Sequence, residues 1–429
     1  MLVIILKAYQ RKRIKLRTIA KKLREKIFSQ EFLNSARKRK QYFTRKRKMP
    51  FPILVIFMLN MIRSSIQTCL NSFFKDIGLT DVHMTQQSFS EARQKIRWQA
   101  FRELFLDNVD NIYSCYYDRW QGYRLLAIDG TKIALPDDEV LKRNFGALGA
   151  NKTAVTAQSS ALYDVLNDVL VDVRIAPLST GERKLALLHI SELCKRPSFG
   201  KECILFDRGY ASFELIDTLK KRNISFVMRV KRGFNLAIDA LDLGDHTVVL
   251  SKRGRDDISV RVLKFMLSSG EIECLITDIL ENNIEDFKAI YFMRWPIETK
   301  FDEIKNKLEI ENFSGRTVNA IRQDFFVTML MSNIASVACW EAQSDADKSR
   351  EHKNNKHYYK VNVNEAIGTL KDDFIIAVIE TSERKRSKML KRIIFLLAKS
   401  VVPSRTDRAV PRNKSYRTSK FRFNRKSNC

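Results

Sequence analysis

Apolar residues recur at two different spacings in this chain, and the spacing changes near residue 123. Before that point 11–27 reads as a basic helix, and the stretches 51–66, 68–75, 87–96 and 100–109 each carry an apolar face at helical spacing. Ser88 or Ser90 is placed to cap the 87–96 helix. After it, 124–128 reads as a short buried strand running into Asp129-Gly130-Thr131. The runs 154–163 and 169–175, rich in Val and Ala, read as further strands. A helix over 181–193 follows, then a strand over 203–206 ending in Asp207-Arg208-Gly209-Tyr210. Ser212 is placed to cap an amphipathic helix over 213–221. Strand-like runs over 224–230, 247–250, 258–267 and 272–276, the last two joined by a Ser269-Gly270 turn, form a β-rich insert. The stretch 290–308 predicts one helix, bent or restarted at Pro296, because proline fits best in a first turn. A long apolar helix over 318–342 belongs to the core. A polar loop over 344–358 and helices over 361–377 and 389–397 complete the chain.

This order predicts an α/β protein in five parts. They are a basic helical region (1–115), an α/β core in two pieces (116–223 and 286–345), the insert (224–285) and a helical C-terminal region with a basic tail (346–429). A length of 429 residues allows such a division and a sizeable core.

Charge sharpens the picture. The net charge is +28, yet residues 1–49 carry +16 and residues 384–429 carry +15, which leaves the middle at −3. Two basic ends around a near-neutral centre point to a polyanionic partner. A helical bundle beside a basic arm is a common way to hold DNA. Seven scattered cysteines without a Cys-x-x-Cys pair exclude a disulfide framework and point to a reducing cytoplasm. The five histidines lack zinc spacing. The apolar run 51–62 falls short of the ~20 residues a membrane span needs. It reads as a buried helix, and no membrane partner is expected. Gly146-Ala147-Leu148-Gly149-Ala150-Asn151-Lys152-Thr153 lacks the Gly before Lys of a phosphate-binding loop, and strand-like sequence follows it.

The candidate chemistry lies in three places. On a wheel of about 100° per residue, Tyr291, Arg294, Glu298 and Lys305 fall within a stripe roughly 60° wide. Arg294 and Glu298 are also an ordinary i,i+4 pair. Asp302 lies beside the stripe as a bystander or substitute. Asp129 and Asp207 each follow a short apolar strand and each precede a glycine, which permits a sharp turn. Acids at strand ends in an α/β sheet sit where ligand sites form. Three converging carboxylates repel one another unless they hold cations, and hard divalent ions take oxygen ligands. Two such ions would serve an in-line displacement at phosphorus.

Tyr291-x2-Arg294-x3-Glu298-x6-Lys305 resembles the signature of the DDE transposases of bacterial insertion sequences, in the branch called insertion-sequence family four. Ile128-Asp129-Gly130-Thr131 and Asp207-Arg208-Gly209-Tyr210 look like that family's first and second catalytic motifs. The stretches 43–51, 89–95, 161–164 and 401–412 are also similar to it. The resemblance implies a ribonuclease-H-like catalytic core with the insert between the second Asp and the Glu. It implies that Asp129, Asp207 and Glu298 bind two Mg²⁺ or Mn²⁺ ions. The implied reaction is cut-and-paste transposition: cleavage at the element's ends through a hairpin intermediate, then attack of the freed 3′-hydroxyls on target DNA. Tyr291, Arg294 and Lys305 would hold terminal phosphates, with Arg229 and Arg208 as further DNA contacts. Some relatives stack a flipped base on a tryptophan of the insert. Residues 208–290 contain none, so Phe226, Phe234, Phe265 or Phe287 would take its place. The implied partners are double-stranded DNA, as inverted repeats and target, and a second copy of the chain, since two ends must meet. The implied setting is the bacterial cytoplasm and nucleoid. The rival readings are a two-metal nuclease that cuts without joining and a non-catalytic basic DNA-binding protein.

Overall fold

The computed structural model describes residues 13–45, 47–60, 65–149, 153–196, 200–352 and 357–404. Among the described residues six helices come first: α1 (Leu16–Ile27), α2 (Gln30–Ala36), α3 (Phe51–Leu59), α4 (Ile66–Asp76), α5 (Gln86–Gln94) and α6 (Gln99–Tyr113). Neither Ser88 nor Ser90 caps α5. The cap is Thr85, whose hydroxyl accepts from Ser88 N at 3.2 Å, because the chain turns helical one residue earlier than expected. There follow β1 (Tyr123–Ala134), α7 (Glu139–Phe145), β2 (Ala147–Leu148), β3 (Ala154–Asp164), β4 (Val169–Pro177), α8 (Glu182–Leu193) and β5 (Lys201–Phe206). Next are α9 (Phe213–Lys221), β6 (Ser225–Arg229), α10 (Leu236–Asp239), β7 (Gly244–Leu250), β8 (Ile258–Met266) and β9 (Ile272–Thr277). The described residues end with α11 (Ile284–Phe292), α12 (Pro296–Asn306), α13 (Val318–Lys348), β10 (Tyr358–Val361), α14 (Val363–Thr369), a π-helical turn (Leu370–Phe374), α15 (Ile375–Ile379), α16 (Glu383–Lys399) and β11 (Val401–Ser404).

The chain divides into two compact units, and the first combines Met1–Tyr116, Ile133–Ala157 and Asp302–Cys429. Its axis is α13, which packs against α6 and α16. This helix is long and apolar enough to cross a membrane, but 83% of its apolar window is buried inside the protein. It is therefore a core helix. The apolar run at 51–59 is likewise a buried helix, with Phe51 and residues 54–59 all inside. The expected polar loop over 344–358 begins later than its composition suggests. Helix α13 runs on to Lys348, and Gln343 holds the next strand by donating to Tyr359 O at 2.9 Å and accepting from Val361 N at 2.8 Å. The first residues of the basic tail also differ from expectation. They form β11, antiparallel to β10. The tail from 405 lies outside the described residues.

The second unit comprises Tyr117–Lys132 and Gln158–Phe301. Its centre is a mixed sheet in the order β3-β1-β5-β6-β9-β8-β7, with β4 also on β3. Strands β1, β5 and β6 run parallel, and α9 crosses from β5 to β6. Parallel neighbours require such a crossover. Ser212 caps α9 as expected, accepting from Leu215 N at 3.4 Å. The strands of the insert hydrogen-bond onto β6 and prolong the same sheet. Gly270, at φ +82°, closes the β8–β9 turn in a conformation that glycine adopts freely.

Candidate functional site

Asp129 and Asp207 come from neighbouring parallel strands. The β1–β5 register pairs Leu126 with Ile204 and Ala127 with Leu205. The pairing ends there, two residues before each acid; the same register carried on would bring Asp129 level with Asp207, with both side chains on one face. Asp207 does end its strand, because β5 stops at Phe206. Asp129 does not, contrary to the expectation of a strand end and a sharp turn. Strand β1 runs on to Ala134, while its pairing with β5 ends at Ala127. Gly130 lies in that strand and has no left-handed φ. A Cβ there would lie 2.9 Å from Gln158 Nε2 and 3.2 Å from Glu182 Oε1, so both side-chain ends would have to give way.

The third acid arrives from α12. The helix of 290–308 is two helices, restarted at Pro296 as the proline predicts, with Arg294 in the turn between them. A single wheel therefore does not describe Tyr291, Arg294, Glu298 and Lys305. Arg294 and Glu298 still meet, Nη2 to Oε1 at 3.0 Å, and Arg294 Nη1 stands 3.8 Å from Asp129 Oδ2. One guanidinium, 8% exposed, thus spans two of the three acids. Burial acts to lower the Arg294 pKa, but the bond to Glu298 and the charges of Asp207 and Asp129 outweigh it and raise it.

Asp129 answers to the same surroundings. Burial pushes its carboxyl up to about 6, with Glu298 and Glu182 adding to the shift and the Gly130 N–H and Arg294 opposing it. An unfolded aspartate titrates near 3.9. Below about pH 4 both states hold the proton, so there is no penalty. Between about 4 and 6 the unfolded chain gives its proton up while the folded one keeps it, so stability falls as pH rises. Above 6 the full cost applies, about 2–3 kcal/mol. The Asp129→Asn protein is expected to melt above the wild type at pH 7 without divalent ions, and level with it at pH 4. Thermal unfolding at the two pH values measures this.

The structure places the other expected residues unevenly. The Tyr291 hydroxyl is buried without a hydrogen-bond partner, and burial raises its pKa. Arg229 is held by Glu273, Nε to Oε2 at 3.3 Å, and Arg208 is exposed. Lys305 belongs to the first unit, where burial lowers its pKa against the charges of Glu311 and Asp302. Three of the four phenylalanines named for stacking are core residues: Phe226, Phe265 and Phe287 are buried. Phe234 alone among them is half-buried.

Sequence reading missed several groups around the acids. Glu182 opens α8 and reaches Gly130. Tyr210 is 2% exposed, its hydroxyl has no hydrogen-bond partner, and burial with the charges of Asp129, Glu182 and Asp207 raises its pKa. Only the Asp-Arg-Gly-Tyr motif itself could have marked Tyr210.

The donor set fits a hard divalent ion in kind, since it is all carboxylate oxygen, and Asp129 is costly to ionise without a cation. Among the described residues no three His, Cys, Asp or Glu side chains stand at metal-binding distance. Arg294 supplies the positive charge between Asp129 and Glu298, and an ion would have to take its place.

The chain is 26% identical over 148 residues to a putative transposase of Sinorhizobium fredii, a match covering 31% of this chain and 42% of that protein. It thus spans less than half the length of that relative. It is 22% identical over 303 residues to a putative transposase for insertion sequence element IS4SA of Synechocystis, covering 66% of this chain and 81% of that protein. The piggyBac transposase synaptic complex with hairpin DNA superposes with a TM-score of 0.48 at 10% identity, over 91% of this chain and 87% of that one. That likeness is too loose to carry a conclusion. Residues 120–334 match the family described as the transposase DDE domain, and with half of its length so matched the protein belongs to that family.

Proposed function

We propose that the protein is a cut-and-paste DNA transposase of an insertion sequence, in insertion-sequence family four, with a ribonuclease-H-like catalytic core. The observation that carries this reading is Arg294, which joins Asp129 to Glu298 and feels the charge of Asp207, the two aspartates each standing two residues past the β1–β5 pairing. Asp129, Asp207 and Glu298 would hold two Mg²⁺ or Mn²⁺ ions, which supply charge stabilisation at the attacking and leaving oxygens. Arg294, released from the carboxylates, is then able to donate to phosphate oxygens in a forked geometry. Tyr291 offers a buried hydroxyl to the same end, and Arg229, Arg208 and Lys305 are further phosphate contacts.

DNA affinity is assigned to the basic ends. In the first unit, Arg17 and Lys21 of α1 line a groove of about 1020 Å³ with Arg384, Lys388 and Lys391 of α16, against the single acid Glu383. Such a surface binds phosphate backbone without regard to sequence. Repeat recognition falls to the helical N-terminal region, and two copies of the chain bring the two ends together.

Purified protein incubated with labelled element ends, target DNA and Mg²⁺ is expected to give joined products. Cleaved but unjoined ends would replace this reading with that of a nuclease. A shifted but intact DNA would replace it with that of a binding protein.

A further inference from the structure

Behind Asp129 lies a buried polar chain that the proposed reaction does not use. Asp172 of β4 is 1% exposed, and its Oδ2 lies 2.8 Å from His189 Nδ1. His189 of α8 is fully buried, and its Nε2 lies 3.0 Å from Ser160 Oγ on β3. Ser160 in turn donates to the main-chain carbonyl of Asp129 at 3.1 Å. Arg174 Nε also donates to Asp172 Oδ2, at 2.7 Å. The three side chains resemble a hydrolytic Asp–His–Ser set, but that chemistry does not fit. Ser160 is 1% exposed and spends its proton on a carbonyl, so no substrate reaches it and no base activates it.

The arrangement has a direction. Asp172 and Arg174 fix the imidazole, the imidazole fixes the hydroxyl, and the hydroxyl fixes one carbonyl of β1. That carbonyl belongs to a residue beyond the β1–β5 pairing, where β1 has left β5 and keeps β3 as its neighbour. The same helix meets β1 a second time. Glu182, two turns before His189 and hence on about the same face, is the side chain that a Cβ at Gly130 would meet at 3.2 Å. Buried polar networks are costly unless every member is paired, and with Ser160 donating to the carbonyl all of these bonds form together only when both imidazole nitrogens carry a proton.

We propose that His189, held by Asp172 and acting through Ser160, is a positioning residue that seats Asp129 for divalent-ion binding. The inference rests on the proposed function. It assigns to the β3–β4–α8 layer the part that outer partners play at metal sites, where their loss weakens ion binding about 10–100-fold.

The test uses the full-length protein without DNA. Mn²⁺ binding is followed by the loss of the free-ion paramagnetic resonance signal, beside thermal unfolding. His189→Ala and Ser160→Ala are expected to weaken Mn²⁺ binding about tenfold or more, and Ser160→Thr, which keeps the hydroxyl, to stay near the wild type. Leu215→Ala, a buried site on α9, supplies a destabilised control whose Mn²⁺ affinity stays unchanged. Should His189→Ala fail to fold, Ser160→Ala decides. Wild-type affinity in Ser160→Ala, or an equal loss in Leu215→Ala, overturns the inference. A wild type that binds no Mn²⁺ overturns instead the metal reading on which it rests.

Discussion

Glu298→Ala is expected to lower end cleavage and joining by a factor on the order of 10³ or more while leaving DNA affinity within a few-fold. A metal centre contributes several kcal/mol to a phosphoryl-transfer transition state, and each 1.36 kcal/mol is a factor of ten. About 4 kcal/mol therefore gives the stated loss. Binding should survive because Glu298 is an anion, and its removal frees Arg294 from its 3.0 Å partner. Asp129→Ala and Asp207→Ala should behave alike. Gel-shift titration and a labelled-end assay on the same preparations separate the two effects. Cleavage within tenfold of wild type in any of the three would remove that acid from the catalytic set.

Arg93→Ala is expected to cost about 3–5 kcal/mol of stability, the price of stranding one partner of a buried ion pair. Arg93 is 2% exposed at the end of α5. Its guanidinium donates to Asp324 Oδ1 at 2.7 Å, Gln323 Oε1 at 3.0 Å, Ser314 Oγ at 2.5 Å and Ala320 O at 3.3 Å. Within the first unit it therefore fastens α5 to the start of α13 through a planar fork. Lysine has no such fork, so Arg93→Lys should recover only part of the loss. Urea denaturation measures both. A loss below about 1 kcal/mol for Arg93→Ala would place the pair among the ineffective surface bridges.

The stretch 89–95, which the sequence marks as part of a helix and as similar to the family, thus has a mechanical explanation. Its arginine has partners more than 200 positions away, and no local pattern announces them. The same limit explains the uneven legibility of the site. Pro296, Ser212 and the Ser269-Gly270 turn were legible because proline geometry, capping and turn chemistry are local. Asp207 was legible as a strand end because β5 stops where its apolar run stops. Asp129 was not, because β1 continues through polar residues. Apolar pattern alone reads Asp129-Gly130-Thr131-Lys132 as a turn, whereas Gln158 and Glu182 crowd Gly130 inside a strand. The four-residue stripe on 290–308 failed as a single wheel, since the chain breaks before Pro296, yet its central pair survived because Arg294 and Glu298 sit either side of that break. Glu182, His189 and Asp172 carry no mark at all in the primary order. They matter through contacts among three strands and a helix, which only the folded chain brings together.

The parallel pairing of β1 with β5 just before the two aspartates also limits how the gene can drift in length. Loss or gain of one codon between Leu125 and Asp129 would turn the acid to the opposite surface of the sheet, since a strand inverts at every step. The link at 251–257, between β7 and β8, carries no such parity. Length changes that leave the protein working should therefore accumulate in links of that sort and spare the run from Leu125 to Asp129.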